Sequence, residues 1–333
     1  MQTKSIYVMN LCVPCENRCR YCLLSYNGKT NGVDYKRSEA YAERYYHWIK
    51  EHRPDLSFVF GFGYSMEHPH LLEAIRFLQK IGSPTGRMLQ FDGMKFRTEE
   101  ELVSFLTILK ERGIELIDLT FYGTEEYHDK FAARKGDFSY MMSILRIANE
   151  VGLPVEAGVA VSHENAQQLE KLVTELECYQ LERLFCFVPH AEGKGVSLNA
   201  VRFSQKDYDG LSDKVKKYLN TNRFKSEKEW LQMPEAFETD KRMVALTLTP
   251  ENIERFKQME FGETIAYLEG LDDAYYSVIP NAETLMKSYG DADGELFYSA
   301  RDLYLNYQRR YIEEHQMDVY DVNDERQCFS RRY

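Results

Sequence analysis

Cys12-Val13-Pro14-Cys15-Glu16-Asn17-Arg18-Cys19-Arg20-Tyr21-Cys22 follows directly on the apolar run Ile6-Tyr7-Val8-Met9 and holds four of the chain's seven cysteines. The run predicts a strand that delivers the thiols onto a tight loop. Disulfides between such near neighbours are strained, whereas soft iron or zinc gains from several thiolates at once. Zinc commonly takes two knuckles well separated in sequence, while an iron–sulfur cluster takes closely nested cysteines on one loop. The subset Cys15, Cys19 and Cys22 reads Cys-x3-Cys-x2-Cys. Three ligands on a four-iron cluster leave one iron open. A structural zinc, or an electron-transfer site using all four cysteines, is the alternative from another class.

Outward from this loop, runs of strand length alternate with segments of helical period. The expected strands are Lys4–Asn10, Leu56–Phe62, Arg87–Asp92, Glu115–Tyr122, Pro154–Val161 and Arg183–Pro189. The expected helices between them are Ser38–Glu51, His68–Lys80, one opened by the capping box Thr98-Glu99-Glu100-Glu101, Asp137–Val151 and Glu164–Cys178. Strands that alternate with single helices pair in parallel, and right-handed crossovers curl the sheet toward a barrel. Six such units fall short of the eight that close one. The predicted fold is therefore α/β, a partial (β/α)6 TIM-type barrel over residues 1–195.

Beyond Gly195 the alternation stops, and residues 196–333 read as a mainly helical, substrate-capping extension. Asp207–Leu219 and Asp302–Glu314 are expected as helices, and Val244–Leu248 as a strand. Thr249-Pro250 reads as a helix start, and Tyr275–Ile279 with Glu295–Tyr298 as a short sheet. Leu303, Tyr304, Tyr307 and Tyr311 form the buried stripe of the last helix.

A chain of 333 residues with 44% hydrophobic residues is long enough for one barrel and an appendage. No apolar stretch reaches the roughly 18 to 20 residues of a membrane span, and the opening lacks a secretion signal. An odd cysteine count with four clustered is not a disulfide framework, so a cytoplasmic protein is expected. The net charge of −11 disfavours nucleic acid. The segment to Ser38 runs against that average, with Lys4, Arg18, Arg20, Lys29, Lys36 and Arg37 facing Glu16 and Asp34. This patch suits an acidic electron donor of the flavodoxin or ferredoxin type; solvated loop charges are the plainer reading.

The cysteine spacing, with the aromatic Tyr21 before the third cysteine, resembles the signature of the radical S-adenosylmethionine (radical SAM) enzymes. The resemblance implies that Cys15, Cys19 and Cys22 hold a [4Fe–4S] cluster whose open iron chelates the methionine amine and carboxylate of S-adenosyl-L-methionine. It implies that the reduced cluster cleaves the sulfonium to a 5′-deoxyadenosyl radical, which abstracts hydrogen from a substrate. The partial (β/α)6 barrel is that family's arrangement.

Chemistry in such barrels sits at the carboxyl ends of strands. Gly61-Phe62-Gly63-Tyr64 stands where the family has Gly-Gly-Glu-Pro, so the backbone at Phe62, Gly63 and Tyr64 is expected at the methionine amine. Thr120-Phe121-Tyr122-Gly123 stands where relatives have Ser-Leu-Asp-Gly. There Thr120 is expected to reach the methionine carboxylate or ribose and Arg134 to act as a clamp, while Tyr122 replaces the usual acid. Gly158 would admit adenine, and Val188 would pack on it. Tight turns, a surface ion pair and ordinary barrel packing are the structural readings of the same residues.

Of the other cysteines, Cys12, Cys178, Cys186 and Cys328 do not form auxiliary-cluster sites. Cys328 reads as a candidate hydrogen donor to a substrate radical or as a free tail thiol. The expected substrate is a ribosomal peptide, with a small metabolite (sugar, nucleoside or amino acid) second and a glycyl-radical enzyme third.

Overall fold

The structure, a computed structural model, describes residues 2–10, 15–22, 32–61, 66–191, 193–237 and 241–319. Phe62, Gly63 and Tyr64, expected at the methionine amine, and Cys12 and Cys328 lie outside the described residues.

The barrel half runs β1 (Gln2–Asn10), α1 (Tyr35–His52), β2 (Ser57–Gly61), α2 (Leu71–Lys80), β3 (Met88–Gln90), α3 (Glu99–Glu111) and β4 (Leu116–Phe121). It continues with α4 (Glu125–Ala132), α5 (Asp137–Val151), β5 (Val155–Ala160), α6 (Leu169–Leu176) and β6 (Arg183–Phe187). The order of strands is the expected one. The capping box of α3 forms both of its bonds, from Glu101 N to Thr98 Oγ1 and from Thr98 N to Glu101 Oε2. Helix α4 was not anticipated, because Glu125–Ala132 carries few apolar residues; its buried face is His128, Phe131 and Ala132.

Two parallel sheets form the wall. One has the order β3-β4-β5-β6. In the other, β1 lies between β2 and a strand from the far half of the chain, β8, whose range is given below. Among the described residues the strands do not close into a barrel, and the fold is an α/β partial barrel. On β4, Ile117, Leu119 and Phe121 enter the core beneath the helices with Leu106, Ile144 and Leu145. Strand alternation therefore turns Asp118 and Thr120 to the lumen. Ile6, Val8 and Phe60 form a second core with Tyr41, Tyr45 and Ile49 of α1.

The second half comprises α7 (Gln205–Asp209), α8 (Asp213–Lys216), β7 (Lys225–Ser226), α9 (Glu227–Trp230) and β8 (Lys241–Leu248). It ends with α10 (Ile253–Gln258), α11 (Phe261–Val278), α12 (Ala282–Tyr289), β9 (Phe297–Tyr298) and α13 (Ala300–Glu314). Strand β8 pairs in parallel with β1, from Gln2 opposite Lys241 to Asn10 opposite Leu248. Its Val244, Leu246 and Leu248 join the α1 core, so the extension completes the sheet that begins the chain.

Three local expectations differ. Tyr275–Ile279 is not a strand: it falls mostly in α11, where Phe261, Ile265, Leu268 and Tyr275 are buried at helical spacing. Glu295–Tyr298 contributes the two-residue β9, which pairs antiparallel with β7. The helix expected over 207–219 is two short ones, α7 and α8, interrupted after Asp209. Leu303 and Tyr307 of α13 are buried in a third core with Trp230 and Tyr275, and Tyr304 and Tyr311 pack against it. Among the described residues, no helix is long and apolar enough to cross a membrane.

Candidate active site

The cysteine loop is pinned along its backbone to the carboxyl end of the strands. Glu16 N donates to Gly93 O (2.9 Å), Arg18 N to Ala132 O (2.9 Å), Arg20 N to Phe131 O (3.0 Å) and Lys194 N to Cys22 O (3.1 Å). The loop thus spans from the end of β3, across the end of α4, to the segment after β6. Gly93 has φ +67°, and a Cβ there would stand 2.2 Å from Cys15 Sγ, so only glycine admits the thiol. A Cβ on Gly195 would meet His190 O at 2.1 Å, which fixes the crossing over the loop near Tyr21.

Side chains hold the loop from below. Asn17 and Asp137 are buried, and His128 is fully so. Asn17 Nδ2 donates to Asp137 Oδ2 (3.0 Å), and Arg134 Nη1 donates to Asp137 Oδ1 (3.2 Å) and Asn17 Oδ1 (3.3 Å). His128 Nδ1 accepts from the Tyr122 amide (3.3 Å), which leaves the imidazole hydrogen on Nε2 to donate to Asp137 Oδ2 (3.1 Å). Asp137 sits at the first position of α5, where the helix N-terminus favours a carboxylate.

Cys15, Cys19 and Cys22 are brought close together: Cys22 raises the proton affinity of Cys15, and Cys15 and Cys22 raise that of Cys19. Burial, opposed by a bond to Asn17 O, pushes the Cys15 thiol up to about 11, and burial raises that of Cys19 as well. Such thiols ionise when a metal replaces the proton. Among the described residues, no three His, Cys, Asp or Glu side chains converge on a single metal ion. A [4Fe–4S] cluster asks only that each thiolate reach its own iron, so three separated thiols on one loop fit it. Tyr21 packs against Tyr122 and Phe131, with ring centroids 5.5 and 5.7 Å apart.

The lumen beside the loop is acidic. The strand register aligns Gln90, Asp118, Glu156 and Arg183 in one row. Arg183 Nε bonds Glu156 Oε2 at 2.9 Å, whereas Asp118 Oδ1 has no hydrogen-bond partner. Burial, reinforced by Glu156, pushes the Asp118 carboxyl up to about 7. Nearer the cysteines, Asp92 accepts from Thr120 N (3.3 Å) and Thr120 Oγ1 (3.2 Å). Burial and then Asp118 push Asp92 up to about 8. Asp92 went unnoticed in the sequence, where its signal was a carboxylate ending an apolar strand.

Thr120 therefore stands at the lumen, engaged with Asp92. Arg134 is engaged with Asn17 and Asp137 and lies over Phe96, 3.7 Å from the ring centroid. Above Gly158, a Cβ would stand 2.9 Å from Phe185 Cζ and 3.3 Å from Phe187 Cε1, so these rings occupy the space the glycine leaves. Val188 is buried in the core between sheet and helices, beside Cys186. Several cations of the opening segment are matched locally. Arg20 pairs with Glu164 (2.5 Å), Lys36 with Glu39 and Glu73, and Arg37 with Glu254.

The model of the radical SAM superfamily matches residues 9–176, half of the chain, and the chain belongs to that family. Members of this superfamily are enzymes that use a [4Fe–4S] cluster and S-adenosyl-L-methionine. Among solved structures, Streptococcus suis SuiB bound to the precursor peptide SuiA is similar at 10% identity and a TM-score of 0.46, covering 63% of this chain and 44% of that one. Native anSMEcpe with bound AdoMet and Cp18Cys peptide has 18% identity and a TM-score of 0.41, covering 62% and 57%. Coproporphyrinogen III oxidase (HemN) from Escherichia coli has 13% identity and a TM-score of 0.38, covering 64% and 48%. The matched part spans about half the length of those chains. A comparison with curated proteins found no match.

Proposed function

We propose that Cys15, Cys19 and Cys22 hold the cluster and that the enzyme abstracts hydrogen from a peptide lodged between the barrel mouth and the extension. The carrying observation is a three-cysteine loop pinned at the carboxyl end of the strands, beside a lumen in which a buried Asp118 oxygen has no hydrogen-bond partner. The bound cluster supplies reductive cleavage of S-adenosyl-L-methionine to a 5′-deoxyadenosyl radical. This chain's residues bind, orient and shield.

Burial raises the Asp92 and Asp118 carboxyls to about 8 and 7, and both would give up their protons as the cationic sulfonium and ammonium of the cosubstrate bound beside them; Thr120 fixes Asp92. Asn17, His128, Arg134 and Asp137 keep the loop in one conformation, so Cys15, Cys19 and Cys22 would hold the cluster in a reproducible position. The segment after β6 covers the loop through Lys194 and begins the 196–333 cap. That cap is held together by its own aromatic core, and we assign the substrate it covers to the peptide class. An acidic flavodoxin or ferredoxin in the cytoplasm would deliver the electron.

The test is anaerobic reconstitution with iron and sulfide, dithionite reduction, and chromatography for 5′-deoxyadenosine. Slow release without substrate, stimulated by peptides, is the expected outcome. Stimulation by sugars, nucleosides or amino acids and not by peptides would replace the substrate class. Zinc retention with no cluster formed would overturn the cysteine assignment.

A further inference from the structure

Tyr122 departs from the acid common in relatives, and the structure gives it a partner. The residue directly follows β4, is 2% exposed, and stacks on Phe131 with centroids 4.6 Å apart. Its amide donates to His128 Nδ1 (3.3 Å), and its carbonyl accepts from Asn165 Nδ2 (2.6 Å), so backbone and ring are both held. The hydroxyl lies 3.4 Å from Cys19 Sγ and 3.4 Å from the Tyr21 hydroxyl.

We infer that Tyr122 is a positioning residue whose phenol donates a hydrogen bond to the Cys19 sulfur and raises the reduction potential of the cluster. The inference rests on Cys19 being a cluster ligand. An iron-bound thiolate carries no hydrogen, so the hydrogen shared between oxygen and sulfur comes from the phenol. In the metal-free chain the same phenol donates to the Tyr21 hydroxyl (3.4 Å), so Tyr21 competes with the Cys19 thiolate for its one hydrogen. A donor aimed at a ligating sulfur withdraws electron density from the iron and favours the reduced cluster. An acid at this position, once ionised, would do the reverse.

The test is an electron paramagnetic resonance redox titration of the reconstituted full chain and its Tyr122→Phe variant, without substrate. The variant is expected to hold the same iron and sulfide per chain. Its reduced-to-oxidised ratio at fixed applied potential should fall roughly tenfold, a midpoint about 59 mV more negative for one electron. Tyr21→Phe should shift the midpoint the other way, by less, since it removes the acceptor that competes with Cys19 for the Tyr122 hydrogen. Replacing Tyr122 by a ring-fluorinated tyrosine, similar in shape and a stronger donor, should move it the other way. Midpoints unchanged in Tyr122→Phe and in the fluorinated variant overturn the inference. If Tyr122→Phe cannot hold a cluster, the fluorinated variant decides alone. If the unmodified chain takes up no cluster, the cysteine assignment falls, and this inference with it.

Discussion

Replacing Asp137 by asparagine removes one charge from beneath the cysteine loop with little change of shape. The carboxylate is 1% exposed and accepts from Asn17 (3.0 Å), His128 (3.1 Å) and Arg134 (3.2 Å). An amide in its place turns an NH2 group toward at least one of these donors and leaves Arg134, whose side chain is 12% exposed, without its counter-charge. Removing one partner of a buried ion pair costs about 3–5 kcal/mol. The Phe96 ring beneath the guanidinium softens the loss, so about 3 kcal/mol is expected for Asp137→Asn. Urea denaturation of the metal-free chain reads this term, and iron content after reconstitution reads the loop. Leu145→Ala is the control: Leu145 is fully buried in the helix-side core, and its truncation costs about 2–5 kcal/mol. Below its unfolding midpoint, Leu145→Ala should load iron normally, while Asp137→Asn should not. A loss under about 1 kcal/mol, or normal iron loading by Asp137→Asn, would refute the reasoning.

Cys15→Ala, Cys19→Ala and Cys22→Ala should each abolish both the reconstituted cluster absorbance and 5′-deoxyadenosine release, whereas Cys12→Ala should preserve both. Gly93→Ala should lower iron uptake at least tenfold, because a Cβ cannot share 2.2 Å with the Cys15 sulfur and the backbone has φ +67°; iron analysis of the purified chain checks this. Burial raises the Asp118 carboxyl from 3.8 to about 7, so the folded metal-free chain binds more protons than the unfolded one within that window, and stability falls as pH rises through it. Asp118→Asn should flatten this dependence and exceed the unmodified chain by about 2–4 kcal/mol at pH 8, with the two converging below about pH 4, as measured by urea midpoints across pH.

The α/β wall was legible because each strand is a continuous apolar run and each helix carries its period, down to the capping box at Thr98. The cysteine loop was legible as a candidate ligand set because metal chemistry constrains spacing along one short loop. What supports that loop was not legible. Asn17, His128, Arg134 and Asp137 meet across about 120 residues of sequence, and isolated polar residues carry no period to announce a shared site. Tyr275–Ile279 misled for a different reason: tyrosines and β-branched residues favour strands locally, but the buried positions of α11 recur at helical spacing over a longer window. The pairing of β8 with β1 was also hidden, since a strand's own residues do not specify a distant neighbour.

That pairing sets a timetable for assembly. β1 gains its neighbour β2 within the first sixty residues, but its other edge stays open until Lys241–Leu248 emerges. Some 230 residues separate Asn10 from Lys241, and at about 5–20 residues per second their synthesis takes on the order of 10–45 s. Throughout that interval the strand that carries the cysteine loop exposes an unpaired edge and an incomplete core. Iron delivered before then would meet a loop whose supporting strand is half built, so cluster insertion is expected only once Lys241–Leu248 has paired with β1.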